Sequence, residues 1–281
     1  LGMISAFGIF NWECLLATAF LSILLLPLST NKTIRYYGCY ILYVVSVSTF
    51  GLLLLPIFVL RPKNVANLTL AAIPLKYFTK LLGIEWELKN GHILKDTKGA
   101  VIVANHQSIL DIMGMWNIWE IMGNCTAVAK KELLFVPPFG QLAWLGGLIF
   151  IDRRNPKKAN EQIRSKYRLI REKGSKIWLF PEGTRNHNSD RLLPFKKGAF
   201  RTAIECKAPI IPVVFSPYYF IDDKKKTFGK GRIIISTLEP IPIEGYTFDN
   251  MDSLIQLTYD KMNSEFGKLR EESKIGLNTH S

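Results

Sequence analysis

With 281 residues, 48% of them hydrophobic, and 36 Lys and Arg against 23 Asp and Glu, the chain is too apolar to be disordered and carries a formal charge of +13. The basic residues come in short pairs rather than in a stripe with interleaved aromatics, and no nucleic-acid motif is present, so anionic lipid is the better partner for the charge and no nucleic-acid partner is expected. Cys14, Cys39, Cys125 and Cys206 have no metal-ligand spacing, and neither a structural metal nor a disulfide framework is expected.

The first feature in chain order is a pair of hydrophobic runs. Cys14 to Asn31 would be about 27 Å long as a helix, a marginal span interrupted near its end by Pro27. Tyr36 to Leu60 contains no charged residue and, at about 37 Å, is long enough to cross a bilayer core of about 30 Å. A transmembrane hairpin is the simplest combination, giving a membrane segment over 1–62 and a catalytic domain over 63–281. A cleaved signal peptide is the other reading, weakened because no Lys or Arg precedes Lys32. Arg61, Lys63, Lys76 and Lys80 follow the second run and favour a cytosolic domain, while Lys32 and Arg35 in the connecting loop weaken the bias. Pro62 to Leu88 reads either as an amphipathic link on the bilayer or as core.

The apolar run Ala100 to Ala104 predicts a buried strand, with Asn105 and His106 at its end. Ser108 and Asp111 have the spacing of a capping box, which places a helix start near Ser108 and leaves His106 before it. From the first turn, Asp111 can accept from one imidazole nitrogen and free the other as a base. The same segment also reads as an ordinary strand-to-helix turn in which Asp111 only caps and His106 is core. A second strand, Lys176 to Phe180, is stopped by Pro181. In the turn that follows, Gly183 permits close approach of a ligand, Arg185 offers a fork to phosphate oxygens, and Glu182 can orient the arginine or accept from a ligand hydroxyl. By itself this is equally a surface turn with a local Glu-Arg pair. Further strands at Ile210 to Phe215 and Arg232 to Ser236 alternate with helical stretches at Lys157 to Lys173, Ala199 to Lys207 and Met251 to Glu271. That alternation argues an α/β fold, a mixed sheet flanked by helices. Its active site would lie at the strand ends.

Four blocks in order resemble the glycerolipid acyltransferases that include 1-acylglycerol-3-phosphate acyltransferase. Asn105-His106-Gln107-Ser108-Ile109-Leu110-Asp111 matches the family's histidine–aspartate block, and Phe180-Pro181-Glu182-Gly183-Thr184-Arg185 matches another without change. Lys130-Lys131-Glu132-Leu133 with Gly147 to Arg154 is similar to the intermediate block, and Ala208 to Val213 to the final apolar one. The resemblance covers roughly residues 99 to 215. It implies an integral membrane enzyme of the endoplasmic reticulum that acylates the sn-2 hydroxyl of lysophosphatidic acid. Acyl-CoA would be co-substrate, with no cofactor and no metal. His106 would be the base and Asp111 its orienter, while Glu182, Gly183, Thr184, Arg185, Arg153, Arg154 and Lys130 would bind substrate. A sibling enzyme using another lysophospholipid or glycerol-3-phosphate, or a catalytically idle membrane-binding protein, remains as an alternative. No Gly-x-Ser-x-Gly elbow, phosphate loop or dinucleotide fingerprint offers a rival chemistry.

Overall fold

Val101–Ala104, buried at every position, is the central strand of a seven-stranded mixed sheet in the computed structural model, which describes residues 14–15, 18, 21–152, 154, 170–187 and 190–278. The strands are Ile84–Lys89 (β1), Val101–Ala104 (β2), Cys125–Lys130 (β3), Ile149–Ile151 (β4), Lys176–Leu179 (β5), Ile210–Phe215 (β6) and Gly231–Thr237 (β9), in the order β1-β9-β6-β2-β5-β3-β4. A small hairpin, Ile221–Asp222 (β7) and Thr227–Phe228 (β8), lies between β6 and β9 in sequence. Pairing is parallel from β6 through β2, β5 and β3 to β4, while β6 and β9 run antiparallel.

The helices are Lys32–Leu60 (α1), Ala66–Leu81 (α2), Gly91–Asp96 (α3), Asp111–Met122 (α4), Phe139–Leu145 (α5), Gly198–Cys206 (α6) and Met251–Asn278 (α7). Alternation along the strands divides the core in two. Ile102, Trp178, Ile211, Val213 and Phe215 pack with α1, α2 and α4 on one face. Val101, Val103, Ile177, Ile210 and Val214 pack with α6 and α7 on the other. Burial on both faces explains why these strands read as continuous apolar runs.

Asn31 caps α1, its side chain accepting from the N–H groups of Thr33 and Ile34 at 3.0 and 3.1 Å. By length and composition α1 can cross a membrane. One face packs on the domain through Tyr36, Cys39, Leu42 and Tyr43, and Tyr43 stacks on Trp116. The opposite face exposes Tyr37, Ile41, Val44, Leu53, Ile57 and Leu60, an apolar stripe at helical spacing. The second hydrophobic run therefore lies against the domain, over α2, α5 and the β7–β8 hairpin. The first run lies partly outside the described residues; its last part is a 3-10 turn, Leu26–Leu28.

Other expectations change in detail. Pro62 to Leu88 divides into α2, buried through Asn67, Ala72, Leu75 and Thr79, and the strand β1. The short strands β3 and β4 have no counterpart in the sequence reading. The helix expected from Lys157 to Lys173 lies almost entirely outside the described residues.

Candidate active site

The parallel pairing gathers the site. β6, β2, β5, β3 and β4 all present their C-terminal ends to one edge, so the residues that follow them line up there in that order. They bring, respectively, Tyr218, His106, the turn Glu182 to Arg185, Lys130 and Arg154.

Asn105 fixes the end of β2. Its buried side chain accepts from Phe215 N–H at 2.8 Å and donates to Phe215 C=O at 3.1 Å, extending the β2–β6 ladder by one side chain. Gln107 donates to Ser216 C=O at 3.0 Å. Between these braces stands His106. Its Nδ1 lies 2.6 Å from Asp111 Oδ2, and the ring stacks on Phe180 with centroids 4.1 Å apart and planes at 19°.

Asp111 is fully buried, and its carboxylate both braces the turn before the helix and faces the imidazole. Oδ2 accepts from the N–H groups of Gln107 at 2.7 Å and Ser108 at 3.1 Å besides facing the imidazole. The helix begins at Asp111, later than expected, because residues 108–110 form the turn that folds the carboxylate back. Oδ1 accepts from the Tyr218 hydroxyl. The Tyr218 phenol is pushed well above the usual tyrosine range by burial first and by the Asp111 charge second, so it stays a neutral donor.

Glu182 is turned into the fold. Its carboxylate is 2% exposed, with Oε1 accepting from His106 N–H at 2.8 Å and Oε2 from Leu193 N–H at 2.9 Å. It clasps the two motifs from within, in place of the substrate contact expected of it. Burial raises its pKa, with the two N–H groups pulling the other way. Asn186 N–H completes the clasp by donating to His106 C=O at 2.7 Å. Gly183 has φ +69°, a backbone conformation that favours glycine, while a Cβ there would meet only the flexible end of Lys196.

Arg185 is exposed and, among the described residues, has no ion-pair partner within 4.0 Å, which leaves its fork available to an anion. Lys130 pairs loosely with Glu132 at 3.5 Å. Arg154 is 83% exposed, turned to Glu132 and Asp152 at 3.7 and 3.6 Å, and does not line the cavity described below. Arg153 lies outside the described residues. Among the described residues no three His, Cys, Asp or Glu side chains converge as metal ligands would.

Behind this edge opens a cavity of about 660 Å³. His106, Lys130 and the stretch Gly183 to Arg185 supply its polar lining, and Val47 and Phe58 of α1, Leu75 of α2, Met115 and Trp119 of α4 and Leu142 of α5 much of the apolar lining. A polar mouth on an apolar interior suits an amphiphile with an anionic head and a hydrocarbon tail. Sequence reasoning named His106, Asp111 and Arg185, which the structure brings to one edge of the sheet, and passed over Tyr218, the Phe180 stack and the bracing by Asn105. Only the position of Tyr218, just past the β6 run, hinted at a strand-end residue.

The model of the Acyltransferase family matches residues 86–216. The chain is 36% identical over 259 residues to human 1-acyl-sn-glycerol-3-phosphate acyltransferase beta, covering 91% of each. It is 35% identical over 217 residues to the 1-acyl-sn-glycerol-3-phosphate acyltransferase of Haemophilus influenzae, covering 77% of this chain and 89% of that one. The crystal structure of the 1-acyl-sn-glycerophosphate acyltransferase PlsC from Thermotoga maritima aligns with a TM-score of 0.66 at 22% identity, over 82% of this chain and 92% of that one, and so shares the fold.

Proposed function

The chain belongs to the 1-acyl-sn-glycerol-3-phosphate acyltransferase family, and from that premise we propose that it transfers an acyl group from acyl-CoA to the sn-2 hydroxyl of 1-acyl-sn-glycerol-3-phosphate, releasing phosphatidic acid and CoA. The observation that carries the reading is the 2.6 Å contact of His106 Nδ1 with a fully buried Asp111 at the mouth of an apolar cavity. Asp111 holds the proton on Nδ1, so Nε2 is left as the basic nitrogen. That nitrogen takes the proton of the sn-2 hydroxyl as its oxygen attacks the thioester carbonyl, and Asp111 stabilises the imidazolium that forms. The proton then passes to the departing CoA thiolate.

Arg185 and Lys130 hold the acceptor's phosphate and so place the hydroxyl beside His106. The N–H groups of His106, Gln107 and Ser108 already donate to Glu182 and Asp111, which removes them as oxyanion donors. Among the described residues the N–H groups of Thr184 and Arg185 have no acceptor, and they serve the developing oxyanion in this reading. The cavity's apolar part takes hydrocarbon, each buried methylene contributing about 0.8 kcal/mol. The exposed stripe of α1 faces lipid, which holds the mouth where both substrates reside.

The test is CoA release from oleoyl-CoA on adding lysophosphatidic acid, with His106→Ala in parallel. The variant is expected to remain folded and to lose transfer; a variant that keeps it would remove His106 as the base.

A further inference from the structure

The dyad carries a third member that the four sequence blocks do not contain. Asp111 Oδ2 is held by three donors, but Oδ1 has one, the hydroxyl of Tyr218, 107 residues along the chain. With Asp111 fully buried, Oδ1 would otherwise be a charged oxygen with neither water nor a donor. Tyr218 thereby fixes the plane of the carboxylate, and with it the direction in which the carboxylate presents to Nδ1.

Tyr218 is held from two sides. Phe215 and Ser216, just before it, are fixed by Asn105 and Gln107 of the motif itself. Ile221 N–H, just after it, donates to Tyr218 C=O at 3.1 Å, where the β7–β8 hairpin begins. That hairpin is gripped by α1. Arg35 Nε donates to Phe228 C=O at 2.6 Å, Tyr36 donates to Asp223 Oδ1 at 2.9 Å, and the Tyr40 hydroxyl lies 3.4 Å from the same oxygen. The Tyr40 ring also packs edge-on against Phe228. A phenylalanine would fill the same space at 218, so packing alone does not explain the hydroxyl.

We propose that Tyr218 is a positioning residue of the His106–Asp111 dyad, and that α1 seats it through the β7–β8 hairpin, so that the apolar N-terminal helix is coupled to the base as well as to the bilayer. The inference rests on the acyltransferase reading above. The titratable groups that face the dyad are Tyr218 after β6, Tyr40 and Tyr43 on α1, Glu182 and Arg185 after β5, and Lys130 at the end of β3.

The experiment compares wild type, Tyr218→Phe, the pair Tyr36→Phe/Tyr40→Phe, and His106→Ala in CoA release from oleoyl-CoA with lysophosphatidic acid across pH. For Tyr218→Phe, kcat is expected to fall roughly 10- to 100-fold, each tenfold corresponding to about 1.4 kcal/mol of barrier. KM for both substrates should stay within about twofold of wild type, since nothing that touches substrate has changed. The acid limb of the kcat profile should move to higher pH, because a carboxylate with one donor fewer holds the imidazolium more tightly. The α1 pair should show the same kcat-selective loss at smaller size, and it decides the matter if Tyr218→Phe fails to fold. A Tyr218→Phe enzyme with kcat within about twofold of wild type and an unmoved acid limb would overturn the proposal, as would an α1 pair with unchanged kcat for the seating by α1. Wild type without His106-dependent transfer would instead overturn the functional reading itself.

Discussion

Replacing Asp111 by Asn isolates the charge from the geometry. Oδ2 accepts from His106 Nδ1, Gln107 N–H and Ser108 N–H at 2.6, 2.7 and 3.1 Å, and an amide oxygen in its place keeps all three. The amide NH2 then meets the Tyr218 hydroxyl, whose oxygen can accept, and the one group that loses its partner is the phenol proton. What disappears is the negative charge facing the imidazolium. With charge centres about 4 Å apart and an effective dielectric near 20, that attraction is about 4 kcal/mol, or roughly three decades of rate. The variant should therefore keep the wild-type fold and both KM values, while its kcat for CoA release falls about 10³-fold. A properly folded Asp111→Asn enzyme within tenfold of wild type would refute the argument, since the dyad would then be a cap and nothing more.

Glu182→Gln, with one acceptor oxygen for the two N–H groups of His106 and Leu193, should cost about 1–3 kcal/mol in urea unfolding. Because burial lifts Glu182 above its ordinary 4.5, the folded chain binds that proton more tightly than the unfolded chain. Glu182 then contributes stability in acid that is lost as pH rises through its raised pKa, so the gap between wild type and variant should narrow toward neutral pH; a widening gap would contradict the sign. Arg185→Lys keeps the charge but loses the fork, and should raise the KM for lysophosphatidic acid about tenfold with little effect on kcat. An unchanged acceptor KM would remove Arg185 from the phosphate site. Phe180→Leu deprives the His106 ring of a stack worth about 0.5–1.5 kcal/mol and should lower kcat roughly two- to tenfold; an undiminished kcat would mean that the stack does not orient the base.

The sequence made the site legible where its residues lie in local order. Ala100 to Ala104 reads as a strand because both faces are buried, and it places His106 at a strand end. Glu182 was read with the right location and the wrong role, because the distinction depends on which N–H groups the fold brings to its oxygens. Leu193 lies beyond the turn, and His106 belongs to a neighbouring strand. Tyr218 was invisible for a stronger form of the same reason. Its partner is set by the β2–β6 pairing, a long-range register that no local periodicity encodes. The strand β3 was missed because its run Cys125–Lys130, with Thr126 and Ala127, lacks the apolar alternation on which such readings depend, and β4, Ile149–Ile151, is only three residues long. For α1, hydropathy located the helix but not its attachment. Arg35, Tyr36, Tyr40 and Tyr43, scattered among apolar residues, carry most of the bonds and ring contacts that tie it to the domain.

The most direct measurement is CoA release by detergent-purified protein supplied with oleoyl-CoA and, in parallel, lysophosphatidic acid, lysophosphatidylcholine or glycerol-3-phosphate. The account predicts fast release with lysophosphatidic acid, lost in His106→Ala, because the exposed Arg185 and Lys130 at the cavity mouth are suited to a phosphomonoester beside a single acyl chain. Release that does not depend on His106, or that occurs only with another acceptor, would contradict it.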